Sequence, residues 1–149
     1  LPTRPDRRDD RDVPIDPAAA ARKLKLSAAR SPAVVGASPD DLAALSQARP
    51  DLATSTSGTH DWILLYVENR AALEAALAGA SAALASPGTL WIAYPKGASK
   101  RQTDLTRDKG WDSLSEADLM WLSLISIDET WSAFGLRHYK PGEARQTFR

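Results

Sequence analysis

The chain has 149 residues, with 19 lysines and arginines balanced by 19 aspartates and glutamates, and no cysteine. That length suits one domain with a substantial core, and neutral net charge gives no overall field to draw nucleic acid or an acidic membrane. The lack of cysteine excludes disulfides, thiolate nucleophiles and zinc–cysteine sites together.

Residues 1–17 carry four prolines, four arginines and five aspartates with little apolar mass. Such a stretch cannot offset its ordering entropy by burial, so a flexible arm is expected. It offers no apolar leader, and no run reaches the roughly 18 apolar residues of a membrane span. A cytoplasmic location is therefore expected, and the richness in alanine fits a bacterial genome of high GC content. Residues 18–26 have helical composition, with Leu24 and Leu26 as anchors.

Residues 33–37 read as a short apolar strand. Ser38, Pro39 and Asp41 then mark a helix start: a capping hydroxyl, a proline in the first turn, and an acid placed to accept backbone N–H groups. Leu42, Leu45 and Ala48 face inward, and Pro50 ends the helix. Residues 52–55 allow a short edge strand.

Residues 61–95 form a complete strand–helix–strand unit. Residues 62–67 are apolar almost without break, as in a strand buried on both faces. Asn69 caps a helix in which Leu73, Ala76, Leu77, Ala80 and Leu84 recur at helical spacing. Ser86-Pro87-Gly88 is expected to stop it, and residues 90–94 form a second buried strand. A helix between two such strands implies a parallel pair with a right-handed crossover.

Residues 96–109 are a polar connection with a basic excess. A helix is predicted to begin near Asp104 or Thr106 and to turn Leu105, Trp111 and Leu114 inward. Residues 120–127 and 131–139 are strand-like, and the three-residue joint between them makes an antiparallel hairpin. Residues 141–149 form a polar, basic tail. The sum is an α/β fold, a Rossmann-like three-layer sandwich over residues 18–140, its mostly parallel sheet closed by a C-terminal antiparallel hairpin.

This order of elements resembles the class I, S-adenosylmethionine-dependent methyltransferase fold. More narrowly, the chain resembles a small bacterial family of Rossmann-like domains with no established activity. The residues that carry the resemblance are Ala21-Arg22-Lys23-Leu24, Ala33-Val34-Val35, Leu90-Trp91-Ile92-Ala93-Tyr94-Pro95-Lys96, Asp104-Leu105-Thr106-Arg107-Asp108 and Ile127-Asp128-Glu129-Thr130-Trp131-Ser132-Ala133. Working methyltransferases hold their cofactor over a glycine-rich turn after the first strand. Here that turn is Gly36-Ala37-Ser38-Pro39, with one glycine, and residues 52–57 lack the acid that would bind ribose hydroxyls. The expectation is a degenerate cofactor motif with no cofactor bound.

Ligands of open α/β sheets bind beyond the carboxyl ends of the strands. The candidate polar set there is Lys96, Lys100, Arg101, Asp104, Thr106, Arg107, Asp128 and Glu129. A helix N-terminus near Thr106 would add N–H donors for an anion, while the plain alternative is an ordinary charged surface loop. Asp128 and Glu129 at the hairpin joint read more simply as turn residues than as a catalytic pair. His60 and His138 have no partner at metal-ligand spacing, and no Gly-x-Ser-x-Gly elbow occurs, so neither a metal nor a serine nucleophile is expected. Trp121 and Trp131 are candidates for a dimer face, with monomer and homodimer both open. The leading expectation is a non-catalytic binding or interaction domain. The alternative is a divergent enzyme or a binder of an anionic or nucleotide-like small molecule. Nucleic acid is disfavoured by the neutral charge, despite the basic tail.

Overall fold

Apolar side chains on both faces of the central strand organise the molecule. A computed structural model describes residues 16–96, 104–106 and 109–146. In it β1 (Pro32–Val35) and β2 (His60–Tyr66) run parallel, and β2 runs parallel to β3 (Leu84–Pro95). The hairpin strands β4 (Leu119–Ser126) and β5 (Trp131–His138) complete the sheet, whose order is β1-β2-β3-β5-β4. β5 is antiparallel to both β3 and β4, so the later hairpin strand lies inside and the earlier one forms the edge.

Alternation along each strand divides the core into two layers. Ile63, Leu65, Leu90, Ile92, Phe134 and Leu136 pack beneath α3 (Arg70–Ala83). Trp62, Leu64, Tyr66, Trp91 and Ala133 pack beneath α1 (Pro17–Lys23) and α2 (Pro39–Ala48). Leu24 and Leu26 are fully buried in this second layer, the anchors expected of them, although Leu26 belongs to a separate 3-10 turn, Leu26–Ala28. In the first layer Trp111 meets Tyr94 and Phe134 edge-on, with centroids 5.2 and 4.5 Å apart. Such pairs add about 0.5–1.5 kcal/mol each beyond their buried area.

Several boundaries differ from expectation. α3 ends at Ala83, and Leu84 already pairs with His60. Trp62 then pairs with Thr89, so residues 85–88, including Ser86-Pro87-Gly88, loop out of register as a bulge. Burial of Leu84 in the sheet overrides its place in the helical stripe. The edge strand expected at 52–55 reduces to one parallel bridge, Ala53 to Ala33. Asp104 and Thr106 are not helical. Helix α4 is the single turn Ser113–Glu116, preceded by Gly110 with φ +98°. Leu105, Trp111 and Leu114 are nevertheless buried, so the inward residues were legible where the helix was not.

Candidate functional site

β1 touches Ala53 on one side and β2 on the other, so the chain's direction across the sheet reverses at β1. The following helices lie on opposite layers, α2 on one and α3 on the other. This is a topological switch point, and the crevice beyond the carboxyl ends of β1 and β2 is where an open α/β sheet takes its ligand. Gly36 leaves β1 there with φ +84°, and a Cβ on it would stand 2.9 Å from the Tyr66 carbonyl oxygen. Only glycine fits that turn without strain.

At this edge Tyr66, the last residue of β2, meets Asp41 of α2. Their exposures are 7% and 6%, and the Tyr66 hydroxyl donates to Asp41 Oδ2 at 3.2 Å. Burial, with the charges of Asp41 and Asp128 next, pushes the phenol well above its ordinary range, so Tyr66 is a neutral donor to a carboxylate. The Trp131 ring stands edge-on to Tyr66 with centroids 5.0 Å apart. Asp41 therefore has a different role from the expected backbone acceptor: its own N–H donates to Ser38 Oγ, the helix cap, while its carboxylate faces Tyr66.

The helix N-termini at this edge are capped by the chain itself. Ser38 caps α2, and Asn69 Oδ1 accepts the Ala72 N–H of α3 at 2.7 Å. Asp104 Oδ1 accepts the Arg70 N–H at 2.8 Å, placing an acid where an anionic ligand would meet α3. Thr106 supplies no helical N–H: its amide donates to the Lys109 carbonyl and its hydroxyl accepts the Lys109 N–H. In place of the expected helix N-terminus near Thr106, Thr106 and Lys109 are hydrogen-bonded to each other.

Lys96 and Asp128 do come together across the hairpin joint. Lys96 N–H donates to the Thr130 carbonyl at 2.7 Å, and its Nζ donates to Ser126 Oγ at 2.6 Å. Asp128 Oδ1 accepts the Thr130 and Trp131 amides, each at 2.8 Å, the turn role expected of it. Glu129 is exposed, and the Thr130 hydroxyl is buried without a partner among the described residues. Lys23, at the end of α1, donates to the Ser126 carbonyl at 3.0 Å. Lys100, Arg101 and Arg107 lie outside the described residues.

The remaining candidates are scattered. Trp121 contacts Phe134 in the first layer near the start of β4, whereas Trp131 packs in the second layer at the opposite end of the hairpin. The two tryptophans do not share a face. His60 Nδ1 is 3.1 Å from the Ser31 carbonyl oxygen, and His138 Nε2 is 3.1 Å from that of Leu84. No metal-binding cluster of histidine, aspartate or glutamate occurs among the described residues. Arg145 pairs with Asp118 at 3.0 Å and stacks on Tyr139, so this cation of the tail is engaged within the molecule. A groove of about 700 Å³ follows α3 past Glu74, Ser81, Asp112 and Glu116, two of whose acids are paired with Arg70. No helix among the described residues is long and apolar enough to cross a membrane.

Sequence reasoning missed the Asp41–Tyr66 pair. Its residues lie 25 positions apart, each with a sufficient local explanation as helix start and strand end. The one available signal was polarity: Tyr66 brings a hydroxyl into an otherwise apolar strand, and a buried hydroxyl needs a partner.

No family model and no curated protein matches the chain by sequence. Solved structures do match. PigF with SAH superposes with a TM-score of 0.64 at 10% identity, over 87% of this chain and 63% of that one. An O-methyltransferase family 2 protein from Planctomyces limnophilus DSM 3776 gives 0.53 at 16% identity, over 81% and 46%. A TehB-like SAM-dependent methyltransferase from Corynebacterium glutamicum ATCC 13032 Kitasato gives 0.53 at 12%, over 80% and 87%. This chain thus spans less than two thirds of the first two. At such identities the likeness is one of fold: the sheet and its helices are those of the Rossmann-like methyltransferases.

Proposed function

We propose that this chain is a non-catalytic binding or interaction domain built on the methyltransferase fold. We also propose kinship with the small bacterial family whose segments it resembles. The observation that carries the function is the Asp41–Tyr66 hydrogen bond in the switch-point crevice. A methyl-donor nucleoside needs close backbone approach at the turn after β1, an acid for its ribose, and room above both. Here the turn abuts Tyr66, the crevice acid is paired to the phenol, and both helix N-termini carry their own caps. The residues present do not fit that cofactor.

The contact surface proposed is the carboxyl edge itself, from Lys96 across the hairpin joint at Asp128 and Glu129. The alternative, a small anionic or nucleotide-like ligand on the same edge, draws support from the Thr130 hydroxyl, buried there without a partner. Isothermal titration and thermal shift with S-adenosylmethionine, S-adenosylhomocysteine, ATP and NAD separate the two. The interaction reading expects no heat and no shift from any of them. Micromolar binding of either adenosyl compound overturns the non-catalytic assignment, and binding of ATP or NAD alone selects the alternative.

A further inference from the structure

A cavity of about 200 Å³ lies between the turn that follows α1 and the start of β2, at the opposite end of that strand from Tyr66. The turn 24–29 covers it on one side, and Trp62 and Trp91 stand on the other. Trp62 pairs with Thr89, so Trp91, two residues further on, is its diagonal neighbour on the same face of the sheet. The two indole nitrogens differ. Trp62 Nε1 donates to the Leu24 carbonyl at 2.8 Å, whereas Trp91 Nε1 is buried without an acceptor among the described residues, on a residue only 4% exposed. The far tip of the Trp91 ring, Cζ3 and Cη2, lies over Gly135 of β5. That leaves the pyrrole ring and its N–H over β3, where Trp91 borders the cavity. An unpaired buried donor costs free energy that an acceptor held in the cavity would recover. Charge at the cavity is also left over with one sign. Asp61 is engaged, its Oδ1 accepting the Ser31 N–H and its Oδ2 the Arg30 N–H, each at 2.8 Å. Lys25 is exposed, and its ammonium makes no ion pair among the described residues. Its backbone is held left-handed, with φ +57°, a conformation disfavoured for lysine.

We infer that this cavity binds a small apolar carboxylate, its body between the indoles and the turn, one oxygen accepting the Trp91 N–H, and its charge matched by Lys25. Each part of that ligand answers one feature of the wall. The indoles and the alanines of the turn supply apolar contact, the N–H supplies direction, and the ammonium favours an anion over a neutral molecule of the same shape. A volume of about 200 Å³ suits a single ring bearing one carboxyl group. The cavity is separate from the carboxyl edge, so the inference stands whether or not that edge binds a partner.

Benzoate is the probe, and the five tryptophans supply the readout, since each indole N–H gives its own proton–nitrogen resonance. Trp91→Phe and Trp121→Phe each assign one signal by its loss. Titration of the full chain with benzoate to about 10 mM is expected to move the Trp91 signal downfield, with a Kd of about 1 mM or tighter. The Trp121 signal, on β4, is expected to stay in place. Benzamide, neutral and of the same shape, is expected to bind about threefold or more weakly, the scale of one exposed charge. Lys25→Gly removes the ammonium and relieves the left-handed backbone, so it keeps the fold and is expected to erase that preference. A Trp91 signal unmoved by benzoate, equal movement of the Trp121 signal, equal binding of benzamide to wild type, or a preference for benzoate that survives Lys25→Gly each overturns the inference. Should Trp91→Phe fail to fold, cross-relaxation with Gly135 assigns the Trp91 ring instead.

Discussion

Tyr66 ties three regions together: its ring meets Trp131, its hydroxyl meets Asp41 on α2, and its carbonyl walls the turn at Gly36. Tyr66→Phe keeps the ring and removes the donor, leaving a buried carboxylate one partner short. Such a loss costs about 1–3 kcal/mol, to be read by urea denaturation. The same residue sets an alkaline limit. Its folded-state pKa lies above the ordinary 10.0, so from about pH 10 the unfolded chain releases a proton that the folded chain retains. Stability therefore falls as pH rises beyond that point. Tyr66→Phe should flatten this slope, and a denaturation series from pH 8 to 11 with equal slopes in both proteins would refute the buried-donor assignment. At Gly36 a side chain meets both a left-handed backbone and the Tyr66 carbonyl. Gly36→Ala is expected to destabilise by about 1–3 kcal/mol, measured the same way.

Among the elements, β5 shows how a glycine inside a strand can be a packing choice. A Cβ on Gly135 would stand 2.9 Å from Trp91 Cζ3 and 3.1 Å from Ser123 Oγ, so the indole lies across the strand where a side chain would be. Gly135→Ala must displace that ring, at about 1–3 kcal/mol, with a changed near-ultraviolet signal from Trp91 as the companion observation. The segment after β5 has its own pH dependence. Arg137, first by its hydrogen bonds, and the Lys140 N–H hold the Glu143 carboxyl down at about 2. The support this pair gives is complete above the ordinary value of 4.5 and is lost as pH falls toward 2. Amide exchange at 140–146 should accelerate in that window ahead of the rest of the chain. The short α4 is the opposite case: Leu105, Trp111 and Leu114 are buried as expected, but Asp104 is engaged at the N-terminus of α3, Gly110 has a left-handed backbone, and the helix is confined to Ser113–Glu116.

For the molecule as a whole, position in the sheet decides local stability. Among the described residues, β2, β3 and β5 have paired strands on both sides, while β1 has only the Ala53 bridge on its outer side and β4 the Gln146 amide. Native-state hydrogen exchange should accordingly find the central strands most protected and β1 and β4 opening first; uniform protection across all five would contradict this. Much of the architecture was legible in the chain alone. Two-faced apolar runs announced β2 and β3, Ser38 and Asn69 announced helix starts through short-range caps, and a three-residue joint announced the hairpin. These are all interactions over a few residues, where backbone geometry and side-chain chemistry suffice. The tertiary structure alone decided that β5 lies inside and β4 at the edge, that Trp121 and Trp131 take opposite layers, and that Asp41 meets Tyr66. Those outcomes rest on the register of strands distant in sequence, and register is chosen by the two core layers acting together, so no local stretch of residues contains it.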